Sequence, residues 1–129
     1  MLADIRLEKT KVTPAVTMVA AQGLVQIEGE SYPENSVEFY QPLFDWLESF
    51  AEEIKGHLTV RLKLSYFNTS SSKCILDFLD ILQSYHNRSG GAVEVEWYYS
   101  DDDEDMLESG REFSEDLDMN FKLVPLTAS

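Results

Sequence analysis

Residues able to do chemistry crowd into one stretch, Tyr66-Phe67-Asn68-Thr69-Ser70-Ser71-Ser72-Lys73, where an asparagine and four hydroxyls precede a lysine. Side-chain oxygens of this kind accept hydrogen bonds from the first, unpaired N–H groups of a helix, so a helix cap is the plain reading. One side chain suffices for that. The surplus makes the same tip a candidate phosphate site, because a helix start carries partial positive charge and free N–H donors. The phosphate can be a bound ligand or a group attached to one of the hydroxyls, with Lys73 close enough in sequence to contribute.

Other chemistry-bearing residues make weaker patterns. The run Asp101-Asp102-Asp103-Glu104-Asp105 lacks the alternating ligands and turn glycine of a calcium loop. It reads as a solvated, acidic helix start that can steer a basic partner. His57 and His86 have no cysteine, serine or second histidine at motif spacing and read as surface or capping residues. Cys74, the only cysteine, falls on an apolar helix face and reads as a buried thiol. There is no Gly-rich phosphate loop, paired-cysteine metal motif or nucleophile elbow. Catalytic residues, metal ligands and cofactors are therefore not expected.

The elements that must hold the hydroxyl stretch follow from periodicity. Before it, Leu58, Val60, Leu62 and Leu64 alternate with polar residues, as in a strand with one buried face. After it, Ile75, Phe78, Leu79, Leu82 and Tyr85 recur at helical spacing until Ser89-Gly90-Gly91. Ala15–Ala20, the turn Ala21-Gln22-Gly23 and Leu24–Glu28 read as a hairpin. Ser31 is a candidate N-cap for a helix over residues 35–55, with Pro33 in its first turn and Glu34 as capping-box partner. Pro42 is expected to kink or restart that helix, and Gly56 to stop it. Ala92–Tyr99 alternates as a strand, the acidic run opens a helix carrying Met106, Gly110, Phe113 and Leu117, and Met119–Leu126 alternates again. Tyr40, Trp46, Tyr66 and Trp97 read as core or rim aromatics, while Tyr32, Tyr98 and Tyr99 also suit an interface.

The order is β-β-α-β-α-β-α-β, with residues 1–12 as a tail or short edge segment. It implies a single α/β domain over residues 1–129, built on a mixed sheet with helices packed mainly on one face. The hydroxyl stretch and the acidic loop then both follow carboxyl ends of strands, where functional loops gather. Hydrophobic residues at 43% and charged residues at 26% fit a globular chain. Asp and Glu number 24 against 10 Lys and Arg, a net charge of −14, which argues against nucleic-acid partners and anionic lipid. No run is long and apolar enough for membrane insertion, no secretory signal is evident, and the cytoplasm is the expected compartment.

Two motifs go beyond physical type. Gly29-Glu30-Ser31-Tyr32-Pro33-Glu34-Asn35 and Asn68-Thr69-Ser70-Ser71-Ser72-Lys73, with Phe39-Tyr40, Pro42, Trp46-Leu47 and Trp97-Tyr98-Tyr99 between and after them, resemble the SiaC family of bacterial regulatory phosphoproteins from about Thr13 to Val124. The resemblance implies a STAS-like sheet and a partner-switching role similar in logic to anti-anti-sigma proteins. A serine/threonine kinase would phosphorylate Thr69 and a PP2C-type phosphatase would reverse it. The unmodified form would bind and activate a diguanylate cyclase, raising cyclic di-GMP and promoting biofilm. Tyr32, Pro33, Glu34, Asn35, Asn68, Ser70, Ser71, Ser72 and Lys73 would form the docking surface. The alternative is a small-ligand-binding domain or enzyme that uses the helix start for an anion and the acidic loop for a divalent metal.

Overall fold

Six strands form one mixed sheet in the computed structural model, which describes residues 2–126. In chain order they are β1 (Ile5–Leu7), β2 (Ala15–Val19), β3 (Leu24–Ser31), β4 (Leu58–Phe67), β5 (Val93–Ser100) and β6 (Asn120–Leu126). The helices are α1 (Ser36–Ser49), α2 (Thr69–Ser89) and α3 (Glu104–Ser114). Spatial order equals sequence order, antiparallel from β1 to β3 and parallel from β3 to β6. Parallel crossovers of this kind are as a rule right-handed, by the chirality of strand twist. Because every crossover also advances in the same direction, all three helices land on one face. The arrangement agrees with the expected mixed sheet and is compatible with a STAS-like one. Within residues 1–12, expected as a tail or short edge segment, Ile5–Leu7 is an edge strand paired with β2.

Strand alternation fills the covered face. Val25, Ile27, Leu58, Val60, Leu62, Val93, Val95 and Trp97 meet Leu43, Leu47, Phe50, Phe78, Leu79 and Leu82 from the helices. The other face is polar, with Arg61 paired to Glu96 at 3.0 Å and Lys122 to Glu94 at 2.7 Å. The Lys122 ammonium, by hydrogen bond and charge, holds the Glu94 carboxyl below the usual range. Gly23 joins the hairpin to the parallel part of the sheet. Its φ is +58°, and a Cβ there would stand 2.1 Å from the His57 carbonyl oxygen, so only glycine fits.

Three local expectations change. Ser31 is not an N-cap, because pairing with Phe67 of β4 carries β3 through it; Asn35 caps α1 instead, accepting from Glu38 N–H at 3.1 Å. Pro42 does not restart the helix. It lies on the exposed side of α1, where water can satisfy the carbonyl that loses its partner, while Tyr40, Leu43, Trp46 and Leu47 anchor both flanks in the core. The stop after α1 is a π-helical turn, Phe50–Ile54, closed by Lys55 in the left-handed conformation at φ 59°, one residue before Gly56.

Candidate functional site

The end of β4 breaks its own alternation. Register with β3 runs from Gly29 opposite Leu64 to Glu30 opposite Tyr66, so Ser65 is an extra residue and the strand bulges. Side-chain parity reverses beyond it. Phe67, which plain alternation would send to solvent, turns inward against Trp97 and Phe113, with ring centroids 6.3 and 6.0 Å away. Tyr66 turns outward, 51% exposed, and meets Tyr32 edge-on at 5.7 Å. An exposed aromatic pair therefore flanks the start of α2.

Asn68 caps α2, its side-chain oxygen accepting the Ser71 N–H at 2.9 Å, while its own N–H donates to the Ser31 carbonyl at 3.0 Å. The hydroxyls behind it divide by direction. Ser71 and Ser31, each 0% exposed, lie 2.9 Å apart; Tyr40 is 2.8 Å from Ser31, Ser36 is 3.2 Å from Ser71, and Ser70 is 2.8 Å from Ser36. Ser70 also reaches the Asn68 side-chain oxygen at 3.3 Å. With one proton per hydroxyl, the chain runs one way: Tyr40 donates to Ser31, then Ser31 to Ser71, Ser71 to Ser36, Ser36 to Ser70 and Ser70 to Asn68. Burial pushes the Tyr40 phenol up to about 12.

This chain accounts for two of the four hydroxyls. Ser70 and Ser71 tie α2 to β3 and α1. Thr69, the first residue of α2, is exposed, and its hydroxyl bonds no other described residue. Ser72 is half-buried. Lys73 is exposed and loosely paired with Asp77 at 3.7 Å, one turn from Thr69 on the same helix face. Of the residues expected to dock a partner, Tyr32, Glu34, Asn35, Ser70 and Lys73 are exposed, and Asn68 is half-buried. Ser71 and Pro33 are buried in the isolated chain, Ser71 by its bonds to Ser31 and Ser36, so neither offers a surface comparable with the exposed five.

The sequence of the domain around this geometry matches the model of the SiaC family, described as regulatory phosphoproteins, over residues 7–126. The chain belongs to the SiaC family. A relative in Pseudomonas aeruginosa (strain UCBPP-PA14), described only as an uncharacterized protein, is 35% identical over 122 residues, which are 95% of this chain and 96% of that one. The crystal structure of apo-SiaC from P. aeruginosa superposes with a TM-score of 0.86 at 36% identity, covering 95% of this chain and 98% of that one. A chain in the crystal structure of the diguanylate cyclase SiaD in complex with its activator SiaC, also from P. aeruginosa, gives 0.89 at 35% identity, covering 95% and 100%.

In this SiaC-family chain the acidic loop shares an edge with the hydroxyl stretch. Asp103 caps α3, accepting from Met106 N–H at 3.0 Å, and Glu104 and Asp105 fill the first turn. Among the described residues no three His, Cys, Asp or Glu side chains are grouped to hold a metal ion. A cleft of about 270 Å³ separates the two regions, lined by Tyr66, Phe67, Asp103, Asp105, Met106 and Ser109. Neither histidine belongs to the site: His57 is exposed, and His86 accepts from Val93 N–H at 3.2 Å across the α2–β5 turn. Sequence reasoning missed the outward turn of Tyr66. Its only written trace is Gly29, whose φ of +128° permits the bulge, and that is legible only once its partner strand is known.

Proposed function

We propose that this chain is a cytoplasmic partner-switching protein that activates a diguanylate cyclase when Thr69 is unmodified and releases it when Thr69 is phosphorylated. A serine/threonine kinase and a PP2C-type phosphatase set the balance, and the output is cyclic di-GMP and biofilm growth. The chain acts by binding rather than by catalysis. One observation carries the reading: among the hydroxyls at this helix tip, Thr69 alone is both exposed and unbonded, so it can be modified without breaking the chain that holds the tip together.

Phosphate on Thr69 adds about 1.5 to 2 negative charges beside a helix start, which favours them. The fold is retained. A partner packed against a neutral hydroxyl must instead accommodate buried charge, which costs about 2 kcal/mol or more. The sheet supports docking over ligand enclosure. Crevices in open α/β sheets arise where successive crossovers diverge to opposite faces, and here they never do.

The test is titration of the purified chain and two variants against the cognate cyclase. Thr69→Ala should bind like the unmodified protein. Thr69→Asp should bind at least about 30-fold more weakly with its thermal unfolding unchanged. Undiminished binding and cyclase activation by Thr69→Asp and by the phosphorylated chain would end the proposal.

A further inference from the structure

We infer that the cleft between the end of β4 and the start of α3 receives an arginine side chain of the protein that docks over Thr69, an inference that rests on the function proposed above. Its floor is apolar, from Phe67 and the buried Met106, with the Tyr66 ring exposed at the rim. Its far wall is acidic. Asp103 commits Oδ1 to the helix cap and keeps Oδ2, and Asp105 is exposed. Among the described residues neither is paired with a Lys or Arg, although other carboxylates, including Asp4, Asp77, Glu94, Glu96 and Glu108, are.

Size and charge select the occupant. At about 270 Å³ the cleft has room for one long side chain. On a chain of net charge −14, two carboxylates without a Lys or Arg partner beside an aromatic lining complement a cation with an apolar stem. Arginine matches both parts. Its stem and planar guanidinium can lie along the Tyr66 and Phe67 rings while its fork meets a carboxylate, whereas lysine offers only a point charge. Position joins the cleft to the switch. Tyr66 packs on Tyr32 on one side and lines the cleft on the other, and Phe67-Asn68 leads directly to Thr69, so one partner segment can cover both.

Cyclase affinity is measured for the unmodified chain and for Asp105→Asn, Asp105→Arg, Glu108→Gln and Thr69→Asp, each first shown to be folded at the assay temperature by its thermal unfolding curve. Glu108 lies on the same helix but outside the cleft lining, so Glu108→Gln reports the loss of one α3 carboxylate away from the cleft. Expected are losses of about 10-fold for Asp105→Asn and about 100-fold for Asp105→Arg, against less than about 2-fold for Glu108→Gln. Restored binding when one cyclase arginine is changed to glutamate against Asp105→Arg would identify the occupant. Equal losses for Asp105→Asn and Glu108→Gln would overturn the inference, as would a dimer of this chain that Asp105→Arg dissociates. If Thr69→Asp blocks binding and Asp105→Arg does not, the cleft fails and the switch stands. If the unmodified chain never binds the cyclase, both fail.

Discussion

The helix that begins at Thr69 and the helix that begins at Glu104 leave the carboxyl ends of neighbouring parallel strands, and both are capped the same way. Asn68 accepts from Ser71 N–H and Asp103 from Met106 N–H, each bonding the third residue of its helix. Their charge differs. The first turn of α2 has no acidic residue, whereas α3 carries Glu104 and Asp105 behind an already anionic cap. The α3 start has its helix dipole answered by its own carboxylates, so additional negative charge gains nothing there. At α2 the same dipole faces neutral hydroxyls, and the exposed Thr69 among them is free. Equal backbone geometry thus gives one end that is permanently acidic and another whose charge can be set from outside.

The largest effect within the fold should come from the seating of α3. Gly110 packs so closely that a Cβ would stand 2.6 Å from the Trp97 ring and 2.7 Å from Leu123, so Gly110→Ala should cost about 1–3 kcal/mol in urea unfolding. A cost below about 0.5 kcal/mol would mean that α3 sits more loosely than α2 and that its acidic start is not held in place.

Tyr40→Phe attacks the α2 side by removing the inner end of the hydroxyl chain, at about 1 kcal/mol near neutral pH. It also changes the alkaline limb. In the native protein the Tyr40 phenol ionises at about 12, above the ordinary value of 10.0 that applies on unfolding. The native state therefore holds its proton longer, and this contribution is complete below about pH 10 and is lost as pH rises through 12. The variant should lack that component when stability is followed between pH 9 and 12. An identical alkaline limb in both proteins would show that Tyr40 is not buried in the chain as described.

The smallest effect sharpens the contrast in charge. Asn68→Asp keeps an accepting cap and adds the anion that α2 lacks, so at low salt it should stabilise by about 0.3–1 kcal/mol. Asp103→Asn should lose stability on the same scale, and both effects should fade at high salt. Shifts of the same sign would remove the comparison.

Much of this architecture was written in alternation. Leu58, Val60, Leu62 and Leu64 against Val93, Val95 and Trp97 are the buried rows of the neighbouring parallel strands β4 and β5, and Ile75, Phe78, Leu79 and Leu82 are the buried stripe of α2. Asn68 was legible as a cap, and the family motifs placed Thr69 at its tip. The start of α1 was misplaced because Ser31 has the composition of a cap, yet a strand partner two elements away claims it. Pro42 does not split α1, which runs unbroken from Ser36 to Ser49 with the proline on its exposed face.

The sequence alone determined which segments are strands and helices, which rows face inward and where negative charge accumulates, because each depends on residues near one another in the chain. Tertiary structure decided how the four hydroxyls divide and which tyrosine reaches the surface. Ser70 and Ser71 are consumed by Ser36, Ser31 and Tyr40, which arrive from a different part of the chain. Tyr66 faces outward because the spacing of β3 against β4 slips by one residue at Gly29. Both outcomes belong to pairs of segments, and neither segment specifies them by itself.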